Sequence, residues 1–259
     1  MDLKNIITSV GIAAALSISA SAAHAFSFSQ QVDGSNAKGN IWLESIQVGD
    51  RTIQKSQLSY VAGASIDASS DKWTGGNTGA ASSERGDNAS GLKTEDASAR
   101  TVVGSLGNNN LNNIVDGEDK GFFKMNLNFS QAVSNLFFWE RGMNSRLKVQ
   151  ALDTTGNLIG KFLVLGSDKF KWSNAGFQID TTEIGGAQTM GSFGVSLTDL
   201  GVSGPINAIQ VIAERDYNGP DFKVIGESAA AVPEPTTMAG LALAGSGLAW
   251  ARRRKMKQA

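Results

Sequence analysis

Cysteine is absent from this chain, and histidine occurs only once, as His24. Because His24 lies near the N-terminus, residues 26–259 offer neither an imidazole nor a thiol. This excludes Ser-His-Asp and Cys-His nucleophilic systems, histidine proton shuttles, and the usual zinc, copper or haem sites with nitrogen and sulfur ligands. Without disulfides, a body of roughly 200 residues must rely on an ordinary hydrophobic core, and that length is sufficient for one domain.

Positive charge is scarce outside the two ends of the chain. Six of the 23 lysines and arginines lie at the ends, but only two of the 24 acidic residues do. The body is left with 17 cations against 22 anions, a net charge of about −5. A negative body argues against nucleic acid or an anionic bilayer surface as a partner.

Proline is also rare, with four in the chain, and two of these belong to the motif Val232-Pro233-Glu234-Pro235. Each proline fixes its own φ angle and keeps the preceding residue extended, so the motif is presented as an open strand that a protease can bind. An apolar segment, Met238 to Ala251, follows, and then a basic cluster of Arg252, Arg253, Arg254, Lys255 and Lys257. The cluster is expected to hold the C-terminus on the cytoplasmic side of a membrane.

The apolar segment is shorter than the roughly 20 residues of a permanent membrane helix. Its flanking arginines can snorkel towards the interface, so we predict a C-terminal membrane helix that inserts transiently. The alternative is an amphipathic or buried terminal helix, which would not normally end in crowded cations.

The N-terminus has the parts of a secretory signal peptide. Lys4 begins a weakly basic region, residues 6–20 form an apolar signal helix, and Ala23-His24-Ala25 is a small-x-small cleavage site. Cleavage by signal peptidase after Ala25 would make Phe26 the first mature residue. The alternative is an uncleaved membrane anchor, which the short apolar run and the cleavage site disfavour.

Between the two ends, short runs of alternating apolar and polar residues are separated by Gly and Asn turns. The clearest period of two covers residues 122–129. Similar runs predict strands at 41–48, 53–62, 101–106, 136–139, 147–152, 158–165, 177–180, 193–197, 206–213 and 222–225. This pattern indicates one all-β domain over residues 26–228, an antiparallel, jelly-roll-like β-sandwich. A β-helix is the alternative, but no fixed short repeat is found.

Three polar segments read as connections between these strands. Residues 65–98 predict an extended loop or surface flap, and residues 107–119 a second loop. Residues 153–157 predict a hairpin turn. No amphipathic helix of convincing length is predicted outside the termini, and residues 229–259 form a linker plus the C-terminal tail.

Two groups of carboxylates could carry chemistry in the body. Glu140 could be a general acid or a sugar-binding carboxylate, but a structural ion pair at the strand end, with Arg141 on the opposite face, is favoured. The loop containing Asp216, Tyr217, Asn218 and Asp221 could bind sugar hydroxyls or calcium, although Asn218-Gly219-Pro220 is also what a tight turn requires.

Metal and sugar binding have weaker support elsewhere. The side chains of Asp116, Glu118 and Asp119 suit calcium, yet their spacing does not fit the twelve-residue calcium loop. No cofactor or metal site is therefore predicted. Trp73, in the polar flap, could stack on a pyranose ring or anchor the flap to the sandwich. Trp42, Trp139 and Trp172 lie in or beside strand patterns and are expected in the core.

The C-terminal motif, apolar segment and basic cluster resemble, in order and position, the tails of proteins handled by exosortases, the PEP-CTERM class. The body, at residues 136–145, 149–153, 181–184, 192–201 and 217–226, resembles cyanobacterial-type exosortase-dependent surface proteins. The resemblance implies export and processing by an exosortase-type transpeptidase or protease. It brings no enzymatic role.

We therefore predict a non-enzymatic secreted protein of the cell surface or extracellular matrix. It is held in the membrane by its tail before processing, and nucleic acid is not an expected partner. Two alternatives stay open. One is a carbohydrate-binding module for envelope exopolysaccharide, acting through Trp73 and Asp221. The other is a carboxylate-dependent polysaccharide hydrolase or lyase, acting through Glu140 and Asp216.

Overall fold

The computed structural model of the protein describes residues 26–69, 86–93, 98–182 and 185–229. They form one short α-helix, one 3₁₀ turn (Lys55–Gln57) and twelve strands. The elements are β1 (Ser29–Asp33), β2 (Trp42–Val48), β3 (Arg51–Gln54), β4 (Leu58–Ser59), β5 (Val61–Ser69), α1 (Ala99–Leu106), β6 (Phe123–Arg141), β7 (Leu147–Leu152), β8 (Leu158–Leu165), β9 (Ser173–Ile179), β10 (Gln188–Ser196), β11 (Ile206–Ala213) and β12 (Phe222–Ser228).

The predicted signal helix and C-terminal membrane helix lie outside the described residues. Among the helices that are described, none has the length and apolar character needed to cross a membrane.

The long strand β6 organises the larger of two antiparallel sheets. Strands β1, β2 and β3 form a three-stranded sheet, and the other nine strands form the sheet around β6. Val133 of β6 pairs with both β11 and β12, and Asn135 pairs with both β10 and β12. Strands β10 and β11 therefore follow one edge of β6 and β12 follows the other. Strand β5 lies on the β12 side, because Leu127 pairs with both β5 and β11.

The second half of β6 is covered on both faces. Leu136 and Phe138 lie in one hydrophobic cluster with residues of β7, β10 and β11. Phe137 and Trp139 lie in another, together with four residues that precede or belong to the small sheet, namely Ile41, Leu43, Ile46 and Ile53. Burial of both faces explains why this part of the strand is continuously apolar. The small sheet forms a second layer, so the predicted all-β antiparallel class is confirmed and the two layers are consistent with a sandwich.

The predictions of separate strands at 122–129 and 136–139 are wrong, because β6 runs unbroken from Phe123 to Arg141. The polar residues between the two runs suggested a break. In the structure the Ser59 hydroxyl of β4 donates to the Gln131 carbonyl and accepts from the Gln131 N–H, both at 2.9 Å. Pairing with a neighbouring strand therefore outweighs the weak local pattern.

The strand predicted over residues 101–106 is also wrong, since these residues belong to helix α1. Ser98 caps the helix, because its hydroxyl accepts from the Thr101 N–H at 3.2 Å and Thr101 Oγ1 accepts from the Ser98 N–H at 3.0 Å. Val102 and Leu106, one turn apart, are fully buried. The β-branched run favoured a strand, but this reciprocal cap and the four-residue spacing of apolar side chains produce a helix.

The strand predicted over 53–62 divides into three. Strand β3 ends at Gln54 in the small sheet, and the 3₁₀ turn then carries the chain to β4 and β5 in the large sheet. Strand β5 continues to Ser69, so residues 65–69, predicted as the start of the flap, belong to the sheet. Residues 70–85 and 94–97 of that flap lie outside the described part of the chain.

The predicted bounds of β7, β8 and β11 are confirmed, as is the hairpin turn between β7 and β8. Asp153 Oδ1 accepts from the N–H and hydroxyl of Thr155, at 2.8 and 2.7 Å, and from the Asn157 N–H at 2.9 Å. These bonds, the Thr155 hydroxyl foremost, lower the pKa of Asp153 to about 2. The turn is thus held by a local side-chain cap.

Candidate functional site

Glu140, the main catalytic candidate of the sequence, is a buried carboxyl at the end of β6. Its side chain is 0% exposed, and it accepts a hydrogen bond from the Ser145 hydroxyl. Among the described residues Oε2 has no hydrogen-bond partner. Burial, and secondarily the charge of Asp221, raises the pKa of Glu140 well above its ordinary value of 4.5, against the lowering effect of the Ser145 hydrogen bond. A polymeric substrate has no access to such a group.

The raised pKa of Glu140 makes stability depend on pH. The stability associated with this group is complete below pH 4.5 and is lost as the pH rises through the folded-state pKa, because the folded protein must then bury a charge. We expect Glu140→Gln to remove this loss. Urea denaturation should show the variant to be more stable than the wild type at alkaline pH, with the difference shrinking towards pH 4.

Glu44→Gln is the matched control, since the Glu44 side chain is 41% exposed and paired with Lys55 at 2.6 Å. It should leave stability within about 1 kcal/mol of the wild type across the same pH range. An unchanged pH profile for Glu140→Gln would show that Glu140 is ionised in the folded protein without cost.

Arg141, on the opposite face of the strand, forms an ion pair with Asp221, whereas Glu140 belongs to none of the ion pairs among the described residues. The Arg141 Nε and Nη2 atoms lie 2.9 and 2.7 Å from Asp221 Oδ2. The other oxygen, Oδ1, accepts from the Gly117 N–H at 3.0 Å. The side chains are 2% and 10% exposed. Asp221 therefore connects β12 to β6 and to the loop of residues 107–119. It does not point towards solvent as a ligand-binding residue would.

The rest of the predicted ligand loop forms a tight turn. Asn218 and Gly219 have φ angles of +60° and +48°. A Cβ on Gly219 would lie 2.0 Å from the Gly117 carbonyl oxygen, so this position requires glycine. Asp216 is exposed and pairs with Arg146 at 2.9 Å, and the Arg146 guanidinium lies 4.6 Å from the centre of the Tyr217 ring. Asp216 thus faces outward while Asp221 faces inward.

The remaining sequence candidates do not converge on a ligand. In the described parts of the chain, no three His, Cys, Asp or Glu side chains are grouped so as to hold a metal ion. Asp116 is buried, and the backbone of residues 118 and 119 packs against Gly219. Trp139 and Trp172 are buried in the two cores as expected, and Trp42 is half-buried. Trp73 lies outside the described residues.

Lys223 is a buried polar residue that was not among the candidates from the sequence. Its side chain is fully buried in β12, and Nζ donates to the Ser105 carbonyl at 2.5 Å and to Asn108 Oδ1 at 3.2 Å. Burial lowers the pKa of Lys223 well below its ordinary value of 10.5. The sequence does contain a sign of this residue, because Lys223 interrupts the apolar run Phe222-Lys223-Val224-Ile225. A strand covered on both faces would normally carry no lysine.

The asparagines after helix α1 bond to Asn108, the partner of Lys223, and connect this segment to residues 37–41 and to Ser90. Asn110 Oδ1 accepts from the Ile41 N–H at 2.9 Å, and Asn112 Nδ2 donates to the Ala37 and Gly39 carbonyls at 2.7 and 2.6 Å. Asn113 Nδ2 donates to the Ser90 carbonyl at 3.0 Å. The segment predicted as the second loop, residues 107–119, is therefore largely an interior polar network.

Phe26, the predicted first residue of the mature protein, is docked onto the domain. Its N–H and carbonyl bond to the Gly194 carbonyl and N–H, at 3.2 and 3.1 Å. Its ring packs edge-to-face on Phe137, with 5.9 Å between ring centres. A Cβ on Gly194 would lie 2.5 Å from the Phe26 ring, so glycine makes room for it. The cleavage residues Ala23 and Ala25 lie outside the described residues.

The sorting residues Val232, Pro233, Glu234 and Pro235 and the basic cluster from Arg252 also lie outside the described residues. Comparison with known families matches residues 231–255 to the PEP-CTERM protein-sorting motif. No curated protein and no solved structure matches the chain. The recognition of the tail from its residues is thereby confirmed. The chain carries a PEP-CTERM protein-sorting motif, which indicates a protein that an exosortase sorts to the cell surface.

Proposed function

We propose that the chain is a non-enzymatic protein of the cell surface or extracellular matrix, in which the β domain is the cargo and the tail is a removable membrane anchor. Signal peptidase cleaves after Ala25, so that the mature protein begins at Phe26. The apolar segment holds the protein in the membrane, and an exosortase-type enzyme then acts at Pro233-Glu234-Pro235. The observation that carries the proposal is the sorting motif at residues 231–255.

The way the domain ends supports this order of events. The Ala229 N–H donates to the Ala132 carbonyl at 2.8 Å, so the folded sheet reaches the residue where the linker begins. Pro233 follows four residues later, a span of at most about 14 Å at roughly 3.6 Å per residue. The motif would thus be offered to a membrane enzyme directly beneath the folded domain.

The surroundings of the candidate catalytic carboxylates support the proposal that the protein is not an enzyme. Glu140 is buried and Asp221 is paired with Arg141, so neither is available to a polysaccharide in the described structure. Asp216 is exposed but is paired with Arg146 at 2.9 Å, and glycosidic cleavage requires two available carboxylates a few ångströms apart. The body also lacks the imidazole and thiol groups of most hydrolases.

The proposal is tested by the substitution Glu234→Ala in a host that contains the cognate exosortase. We expect the wild-type protein to reach the outer surface without its basic cluster, and the variant to stay in the membrane fraction with the cluster intact. Glu214→Ala, whose side chain is 44% exposed, is the matched control and should be processed normally. Equal processing of the Glu234→Ala variant and the wild type would contradict the proposal.

A further inference from the structure

We propose that Lys223 and Asn108 become joined by a side-chain amide bond that the folded protein forms by itself. In this reaction Lys223 Nζ attacks Asn108 Cγ, a new Nζ–Cγ bond forms and the Cγ–Nδ2 bond breaks. One proton moves from Nζ to Nδ2, which leaves as ammonia. The step exchanges one amide for another, so it needs no oxidant, reductant or co-reactant.

The two groups are already in contact. Nζ lies 3.2 Å from Asn108 Oδ1, which is one bond away from the carbon to be attacked. Two groups that the fold holds in contact can react in an intramolecular step with a large effective concentration, without a bimolecular encounter. Lys223 is held in β12 between β4 and β6, and Asn108, two residues after the end of helix α1, is held by its bonds to the last turn of that helix.

The surroundings of the amine favour the form that can react. A lysine is a nucleophile only when it is neutral, and burial is the standard way to obtain a neutral amine near pH 7. Lys223 is fully buried, and the ion pairs of the described residues do not include it. Its lowered pKa, caused by that burial, agrees with a neutral amine.

The Asn108 carbonyl is polarised for attack. Its Oδ1 accepts from the Asn110 N–H at 2.9 Å and from Asn113 Nδ2 at 3.3 Å. These two donors would stabilise the negative charge that develops on this oxygen in the tetrahedral intermediate, as an oxyanion hole does.

The leaving group is positioned next to the attacking amine. Asn108 Nδ2 donates to the Gly104 and Ser105 carbonyls at 2.8 and 3.3 Å, which fixes the orientation of the amide. The Ser105 carbonyl also accepts from Lys223 Nζ. The nucleophile and the leaving nitrogen therefore share one acceptor, and the proton has a short path between them.

The test is mass spectrometry of peptides from the full chain, purified in its folded, processed form and then denatured and digested with trypsin. We expect no cleavage after Lys223, and a branched peptide joining residues 101–120 to the peptide that starts at residue 216. Its mass should equal the sum of the two peptides less one ammonia. Fragmentation should place the branch at Asn108 and Lys223.

Three variants sharpen the test. Lys223→Met should abolish the branched peptide, whereas Lys148→Met, which replaces a lysine of strand β7 in the same sheet, should leave it unchanged. Asn108→Asp should give a branched peptide formed with loss of water in place of ammonia. A linear 101–120 peptide lighter by one ammonia, with normal cleavage after Lys223, would reveal a cyclic imide and overturn the proposal. Two unmodified linear peptides from wild-type protein would overturn it as well.

Discussion

Replacing Asp221 with alanine should lower the free energy of unfolding by about 3–5 kcal/mol, the usual result of removing one partner from a buried ion pair. Both side chains are nearly inaccessible, at 2% and 10% exposed, so water cannot replace the lost carboxylate beside Arg141. The Gly117 N–H loses its acceptor in the same variant. Urea denaturation should show a lower midpoint with an unchanged slope.

Asp216→Ala is the matched control for this prediction. It removes the same type of side chain, only five residues away, from a pair with Arg146 in which the two side chains are 39% and 74% exposed. Exposed pairs contribute about 0–1 kcal/mol, so the control should remain close to the wild type. If the two variants lost equal stability, the Arg141–Asp221 pair could not be a structural link between β6, β12 and the loop of residues 107–119.

Lys223→Met should lower the free energy of unfolding by about 4–5 kcal/mol, because the amide proposed above closes a loop on the order of 100 residues in the unfolded chain. The two residues are 115 apart in sequence. Without that bond, the same substitution should leave the free energy of unfolding unchanged or raise it. It would then only exchange a desolvated amine for an apolar side chain of similar length.

Two further readouts separate the cross-link from packing. The urea dependence of unfolding should become steeper in Lys223→Met, since an unfolded chain free of the link exposes more surface. The double variant Lys223→Met/Asn108→Ala should be only slightly less stable than Lys223→Met, because one bond cannot be lost twice. Unchanged or increased stability of Lys223→Met would contradict the cross-link.

How far the sequence alone leads differs between the parts of this molecule. The bounds of β7, β8 and β11 follow from the alternation of their side chains, because each is a locally consistent strand. Helix α1 was missed because its β-branched residues suggested a strand, while the decisive features were the cap at Ser98 and the burial of Val102 and Leu106. The length of β6 was missed because its centre is held by Ser59, a partner more than 70 residues away.

Among the candidate site residues, too, features set by neighbours in sequence were predictable and features set by distant residues were not. The tight turn at Asn218-Gly219 was predictable from residue type, since few other residues adopt its positive φ angles. The direction of Asp221 was not, because its partners, Arg141 and Gly117, are about 80 and 104 residues away along the chain. The same holds for Lys223, whose contacts to Ser105 and Asn108 arise only when α1 packs beside β12.

The central claim is that the C-terminal tail is a removable membrane anchor for a folded β domain. It is tested most directly by the mass of the C-terminal peptide of the native protein, from cells with and without the exosortase. We expect the peptide from exosortase-containing cells to end before Arg252, and the peptide from exosortase-deficient cells to retain the basic cluster. An identical, intact C-terminus in both, or uncut protein free in the cytoplasm, would contradict the claim.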